Sequence, residues 1–242
     1  MTTPNLSSFI WSVADLLRGD YKQSEYGKVI LPFTVLRRLD CVLEGSKAAV
    51  LAEHALRTKA GLNPEPFLRP KSGHPFYNTS PLDLGRLIGA PDDIGENLRA
   101  YVQAFTPSVR EIFERFDFSA QIDRLNKAGL LYLVTEKFAH IDLHPDVVTN
   151  AEMGAVFEEL IRKFAELSNE TAGEHFTPRE VIRLMVNLLF AFDDDALTRP
   201  GIVRTLYDPT AGTGGMLSVG GEHLAALNPE ARLSMHGQEL NP

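Results

Sequence analysis

Apolar residues repeat at helical spacing through the first three quarters of the chain. Stripes with this pattern begin near residues 9, 26, 107, 130, 151 and 178. Residues three and four positions apart share one face of an α-helix, so each stripe predicts an amphipathic helix packed on a core. We therefore predict that residues 1–140 are almost wholly helical and contain no β-sheet.

One stretch of this region interrupts the helical pattern. Residues 63–81 are rich in proline, glycine, asparagine and serine, which favour turns. We predict a long loop there.

The pattern changes near the end of the chain. Short apolar runs at 202–207 and 233–237 have the length of buried strands, and a helical stripe at about 216–227 separates them. This is one strand–helix–strand unit with parallel strands. Because two parallel strands cannot bury both faces of a sheet, we expect the domain that they begin to be incomplete in this chain.

A glycine-rich string follows the first of these strands: Asp208-Pro209-Thr210-Ala211-Gly212-Thr213-Gly214-Gly215. A strand, a glycine loop and a helix start are typical of nucleotide-binding α/β domains. No Gly-Lys-Ser/Thr follows that could bind the β- and γ-phosphates of a triphosphate, and Leu217 stands where a dinucleotide fingerprint has its third glycine. The loop therefore suits a nucleoside without phosphates, such as S-adenosylmethionine. A glycine turn without a ligand is the alternative, but the string is far more specific than a lone Gly-x-Gly.

The string resembles the S-adenosylmethionine motif of DNA adenine methyltransferases, in particular the methylation subunit of type I restriction–modification systems. Residues 173–180 resemble the Gly-x-Phe-Thr-Pro segment of that family, and residues 236–242 resemble its Gly-x-Glu segment. Residues 11–19 and 26–40 are similar to the helical domain that precedes the catalytic domain. The resemblance covers the chain from about Leu6 to Pro242.

The resemblance implies a fold, a cofactor and a set of site residues. The fold is a mainly α N-terminal domain, residues 1–145, followed by the truncated start of an α/β Rossmann-like S-adenosylmethionine-dependent methyltransferase domain, residues 146–242. The Phe-Thr-Pro segment would lie against the methionine half of the cofactor, and Glu239 would bind the ribose hydroxyls. The implied cofactor-binding residues are Phe176, Thr177, Pro178, Asp208, Pro209, Ala211, Gly212, Thr213, Gly214, Gly215 and Glu239.

No catalytic residue can be assigned from the sequence. The family carries an Asn-Pro-Pro-aromatic motif after the cofactor segments, and this chain ends first. Residues 63–67 imitate the motif, but Glu65 separates the two prolines, and no aromatic residue follows Asn241-Pro242. We expect the 242-residue chain to be inactive alone, and the full-length subunit to transfer a methyl group to adenine in DNA.

The resemblance also implies partners, namely DNA, a specificity subunit and a restriction subunit, with a second methylation subunit as a further candidate. Two other functions stay open. The chain could be a non-catalytic helical module for DNA binding or subunit assembly. It could also belong to a methyltransferase that acts on RNA or protein.

Composition and charge limit the class of protein and the location that we expect for the chain. The chain has 242 residues, a net charge of −8 and one cysteine. It has no apolar run of about 20 residues and no signal-peptide pattern, so we expect a cytoplasmic protein without a membrane partner. Lys and Arg outnumber Asp and Glu by 10 to 7 in residues 1–71, a weak excess that is compatible with DNA contact. His140 and His144 lie four residues apart, but Pro145 follows, and we predict no metal site.

Overall fold

Helices form the first part of the chain in the computed structural model, which describes residues 6–150, 152–154, 156–157, 160, 177–212 and 214–240. They are α1 (Leu6–Leu17), α2 (Gly27–Leu43), α3 (Lys47–Lys59), α4 (Glu65–Ser72), α5 (Leu84–Leu87), α6 (Ile94–Gln103), α7 (Pro107–Arg115), α8 (Phe118–Lys127) and α9 (Leu131–His140). Between residues 6 and 140 the chain forms two isolated β-bridges and no β-strand. The prediction of a helical region without a sheet is confirmed for these residues.

The chain divides into two compact units, residues 1–170 and 171–242. The predicted boundary at residue 145 refers to family domains rather than to compact units, and it stays a prediction.

Helix α2 runs through the core of the first unit. Phe33 is fully buried, with its ring edge-on to Phe118 at 5.1 Å and stacked with Phe138 at 5.3 Å between centroids. Aromatic pairs in these geometries add about 0.5–1.5 kcal/mol beyond their burial. Pro32 lies inside α2 without ending it. Cys41, the single cysteine, is buried.

A buried carboxylate joins α2 to two other helices. Asp40 accepts hydrogen bonds from the Tyr101 hydroxyl at 2.5 Å, the Arg37 guanidinium at 3.0 Å and the Leu84 amide at 3.4 Å. Burial, followed by the charge of Asp40, raises the pKa of Tyr101 well above its ordinary value. The tyrosine is therefore a neutral donor that partly compensates the desolvated carboxylate.

Two arginines of α2 hold the segment that follows α9. Arg37 Nε donates to the Ile141 carbonyl at 2.7 Å. Arg38 donates to the carbonyls of Leu143 and Val148 and, at 2.7 Å, to Asn150 Oδ1. These contacts keep residues 141–150 attached to the helical core.

The prediction of a long loop over residues 63–81 is wrong in part, because α4 occupies residues 65–72. Pro66 is the second residue of α4, where the missing N–H would have no partner within the helix. Leu68 is buried with Val50 and Tyr77, and Gly73 ends the helix at φ +70°. Tertiary contacts of this segment, among them the burial of Leu68 and the position of the Arg57 guanidinium over the Phe67 ring, therefore outweigh its turn-forming composition.

The second unit contains the two predicted strands. Its elements are α10 (Arg179–Phe190), α11 (Asp194–Thr198), β1 (Val203–Asp208), α12 (Gly215–Leu227) and β2 (Arg232–Gly237). Strands β1 and β2 pair in parallel, from Val203 with Arg232 to Asp208 with Gly237. The predicted strand–helix–strand unit is confirmed.

Helices α10 and α12 pack against one another. Ile182, Val186 and Phe190 form one buried stripe of α10 and share a core with Val219 and Leu224 of α12. Gly220 lets α12 approach β1 closely, since an added Cβ would lie 2.6 Å from Leu206 Cδ2.

An ion pair near the start of α2 gives a pH-dependent prediction. Arg124 binds both carboxylate oxygens of Glu25, at 2.9 and 3.2 Å, and its guanidinium lies 3.8 Å from the centre of the Tyr21 ring. The hydrogen bonds from Arg124 lower the pKa of Glu25 from 4.5 to about 2.

We expect Glu25→Gln to lower the free energy of unfolding at pH 7 by about 1 kcal/mol, since the pair is partly exposed. The folded-state pKa is depressed, so the contribution of Glu25 is complete above pH 4.5 and is lost as the pH falls toward 2. Urea unfolding of both proteins between pH 2 and 7 measures the difference. Glu111→Gln, which breaks an exposed pair with Arg115, is the control and should change stability by less than about 0.5 kcal/mol. A Glu25→Gln effect that does not vary with pH would contradict this assignment.

Candidate cofactor site

The glycine loop and the Gly-x-Glu segment meet at one edge of the sheet. Asp208 ends β1 and pairs with Gly237, which ends β2. Ligands of open α/β sheets bind at the carboxyl ends of the strands, where the loops that follow lie side by side. The parallel pairing therefore brings together two motifs that are about 27 residues apart in the sequence.

Backbone hydrogen bonds continue this pairing beyond the strands. The Gln238 amide donates to the Asp208 carbonyl at 2.9 Å, and the Ala211 amide donates to the Gln238 carbonyl at 2.8 Å. The glycine loop is thus attached to the residue that precedes Glu239.

Two glycines of the loop have backbone conformations that other residues rarely adopt. Gly212 has φ +50° and Gly214, the N-cap of α12, has φ +80°. A Cβ added at either position would meet no atom within 4 Å, so the space beside both residues is open. Backbone conformation, and not crowding, requires glycine here, and the open space leaves room for a ligand.

Gly215 serves a different purpose. A Cβ there would lie 2.7 Å from Ile182 Cδ1. This glycine permits contact between the start of α12 and α10.

The Glu239 carboxylate lies against the glycine loop. Its Oε2 accepts a hydrogen bond from the Gly212 amide at 2.7 Å, and its Oε1 accepts one from the Leu240 amide at 2.8 Å. Each carboxylate oxygen can accept more than one hydrogen bond, so hydroxyl groups of a ligand can bind beside these amides or replace them.

The Asp208 carboxylate is also hydrogen-bonded to the glycine loop. Its Oδ1 accepts a hydrogen bond from the Thr210 amide at 3.1 Å, which closes a turn through the exposed Pro209. An aspartate that bonds the backbone two residues ahead stabilises such a turn. The site therefore carries two carboxylates on adjacent strand ends.

The other predicted residues begin α10. Thr177 and Pro178 are exposed, and the Pro178 carbonyl accepts hydrogen bonds from the amides of Val181 and Ile182 at 2.9 and 3.0 Å. Ile182 contacts the start of α12 at Gly215. Pro178 therefore lies about one helical turn before the residue of α10 that contacts α12. Phe176 and Thr213 lie outside the described residues. The ligand-binding role of the whole set stays a prediction.

Two family models match the chain. The model of the HsdM N-terminal domain matches residues 6–138, and the model of N-6 DNA methylase matches residues 149–242. The first match covers more than half of the chain.

The chain belongs to the HsdM family, the methylase subunits of type I restriction enzymes. It is 23% identical to the MjaIX methylase subunit of Methanocaldococcus jannaschii, over 99% of this chain and 43% of the relative. It is 27% identical to the EcoEI methylase subunit of Escherichia coli, over 55% of this chain and 25% of the relative. The chain thus spans less than half the length of these curated relatives.

Family membership is consistent with the order of the elements, a helical region followed by the start of an N-6 methylase domain. Among the described residues of this HsdM-family chain, no three His, Cys, Asp or Glu side chains are grouped as metal ligands would be. His140 Nδ1 lies 2.7 Å from the Glu136 carbonyl, and His144 pairs with Asp146. Within the same part of the chain, no helix has the length and apolar character needed to cross a membrane.

Sequence reasoning missed one contact of the site. Tyr207 is 55% exposed, and its hydroxyl donates to Gln238 Oε1 at 2.6 Å. The position of Gln238 between Gly237 and Glu239 marked it as a residue close to the site. Its partner, Tyr207, lies on β1, so the contact could not be identified from the Gly-x-Glu segment alone.

Gly214→Ala tests the backbone geometry of the loop. Alanine at φ +80° should lower the free energy of unfolding by about 1–2 kcal/mol, the cost of the left-handed conformation. Gly221→Ala is the matched control within α12, where an added Cβ makes an ordinary contact with Met235 Sδ at 3.4 Å. The control should be neutral or stabilising by up to about 1 kcal/mol, because alanine favours the helix. Equal losses of stability in urea unfolding would contradict the assigned loop conformation.

Proposed function

We propose that the full-length protein transfers a methyl group from S-adenosylmethionine to the exocyclic amine of adenine in DNA. The observation that carries the proposal is the contact between the Glu239 carboxylate and the Gly212 amide at the carboxyl ends of two parallel strands. A glycine loop with an acid on the next strand suits a nucleoside whose ribose is bound through its hydroxyls.

The charges around the loop favour a ligand without phosphates. No Lys or Arg occurs between Arg204 and Arg232, while Asp208 and Glu239 stand at the strand ends. A triphosphate would need cations or a metal at this edge, and carboxylates would repel it. S-adenosylmethionine carries a sulfonium and an ammonium group, so its charge complements these residues.

Each part of the site would have a separate task in binding. Glu239 would accept hydrogen bonds from the ribose, Gly212 and Gly214 would let the backbone approach the nucleoside, and Thr177 would lie near the methionine group. The bound cofactor supplies an electrophilic methyl group to the target amine. The described residues would act by holding it in place, and such positioning can account for much of a displacement reaction's acceleration.

The remaining parts of the function belong to the full-length protein. A target base would be flipped out of the duplex to reach the methyl group, because the amine is inaccessible inside it. DNA, a specificity subunit, a restriction subunit and a second methylation subunit are the proposed partners, and the complete second domain is proposed to be Rossmann-like.

The apolar surface of α10 supports the proposal that further chain completes this domain. Val181, Leu184, Met185, Leu188 and Leu189 are between 44% and 60% exposed. Contiguous apolar surface of this kind is usually covered in a functional protein.

Replacing Glu239 with alanine in the full-length protein tests the cofactor assignment. The loss of hydrogen bonds to a charged acceptor should weaken S-adenosylmethionine binding by roughly tenfold to a hundredfold in calorimetric titration. Glu230→Ala is the control, because it removes the same charge from an exposed glutamate in the turn before β2. Unchanged affinity in Glu239→Ala, with an unchanged melting temperature, would remove Glu239 from the site.

Isotope labelling tests the acceptor. The full-length protein, its specificity subunit and DNA are incubated with S-adenosylmethionine that carries a trideuterated methyl group, and the nucleosides are then analysed by mass spectrometry. We expect the label on N6 of adenine, and no transfer by the 242-residue chain alone. Label found on cytosine, RNA or protein, or transfer by the short chain, would contradict the proposal.

A further inference from the structure

We propose that Tyr207 and Gln238 are positioning residues that fix Glu239 for ribose binding. The inference rests on the proposed function and deepens it. It assigns a task to the hydrogen bond between Tyr207 of β1 and Gln238, the residue that follows β2.

Gln238 is held by its backbone and by its side chain. Its amide and carbonyl bond Asp208 and Ala211, and its side-chain oxygen accepts from the Tyr207 hydroxyl at 2.6 Å. All three contacts come from residues 207–211. Gln238 therefore ties the chain after β2 to the end of β1 and to the glycine loop.

This attachment lies where the regular structure stops. Strand β2 ends at Gly237, and among the described residues only the backbone bonds of Gln238 to Asp208 and Ala211 extend the pairing beyond it. Gln238 and Glu239 are both exposed, so hydrogen bonds rather than burial orient them. Fixing a backbone residue costs conformational entropy, and a site that is already ordered does not lose this entropy on binding.

The Tyr207 hydroxyl contributes more to this arrangement than its ring does. The ring is about half exposed, so phenylalanine would fit the same surface. Side chains alternate between the faces of a strand, and Leu206 faces α12. Tyr207 therefore projects from the opposite face, where its hydroxyl reaches Gln238 without filling the space beside Gly212 and Gly214.

A double-mutant cycle in the full-length protein tests the proposal, with equilibrium binding of radiolabelled S-adenosylmethionine as the readout. Tyr207→Phe and Gln238→Ala should each weaken binding by about twofold to tenfold, the usual effect of one hydrogen bond. When Glu239 is already alanine, neither change should weaken binding further, because both act through the carboxylate. Tyr132→Phe, which removes a hydroxyl in the helical unit, is the control and should have no effect.

Tyr207→Phe keeps the ring and should leave the melting temperature unchanged, so it separates positioning from folding. Unchanged affinity in Tyr207→Phe would overturn the positioning role of Tyr207 and Gln238. Equal losses in the presence and absence of Glu239 would also overturn it, because they would indicate a general effect on the loop. An unchanged affinity in Glu239→Ala alone would instead remove Glu239 from the proposed cofactor site, and the positioning role with it.

Discussion

The parallel register of β1 and β2 determines where the candidate site lies. Asp208 and Gly237 are paired, so the glycine loop and Glu239 leave the sheet side by side. A shift of one residue would reverse the faces of a strand and carry Glu239 away from the Gly212 amide. The close approach of Gly220 to Leu206 and the positive φ angles of Gly212 and Gly214 both serve this one arrangement.

The helical unit is organised by buried polar contacts as well as by apolar packing. Asp40 joins α2 to Tyr101 and Leu84, while Arg37 and Arg38 of the same helix hold the segment after α9. Val148, Met153 and Leu160 belong to the hydrophobic core of this unit. The N-6 DNA methylase match starts at residue 149, so the first described residues of that match pack with the helical region. The family match that begins at residue 149 and the compact unit that ends at residue 170 therefore do not share a boundary.

Periodicity predicted α1, α2, α7, α9, α10, α12 and both strands, whereas α3, α5, α6, α8 and α11 were not predicted individually. Most of the stripe that begins near residue 151 lies outside the described residues. The stripes of α2, α7, α9 and α10 each bury one face, and spacing alone identifies such helices. The strand–glycine loop–helix order was also readable, because strands of this kind are short and apolar. Helix α4 was not, since local composition favours turns and the burial of Leu68 against Val50 and Tyr77 depends on distant parts of the chain.

The candidate site shows the same limit. The glycines and Glu239 were identified by their motifs. In the structure, the Gly212 amide nitrogen lies 2.7 Å from Glu239 Oε2. The bond between Tyr207 and Gln238 could not be predicted, because it depends on register across two strands rather than on spacing within either.

Hydrogen exchange of the full-length protein with and without S-adenosylmethionine tests the central claim most directly. Amides whose hydrogen bonds a bound ligand stabilises open less often and exchange more slowly, and those of an uninvolved core do not change. The account predicts slower exchange at Thr210, Gly212, Gly214 and Leu240, with no change in α2 or α9. Slower exchange confined to residues 6–140, or no change anywhere at saturating cofactor, would contradict it.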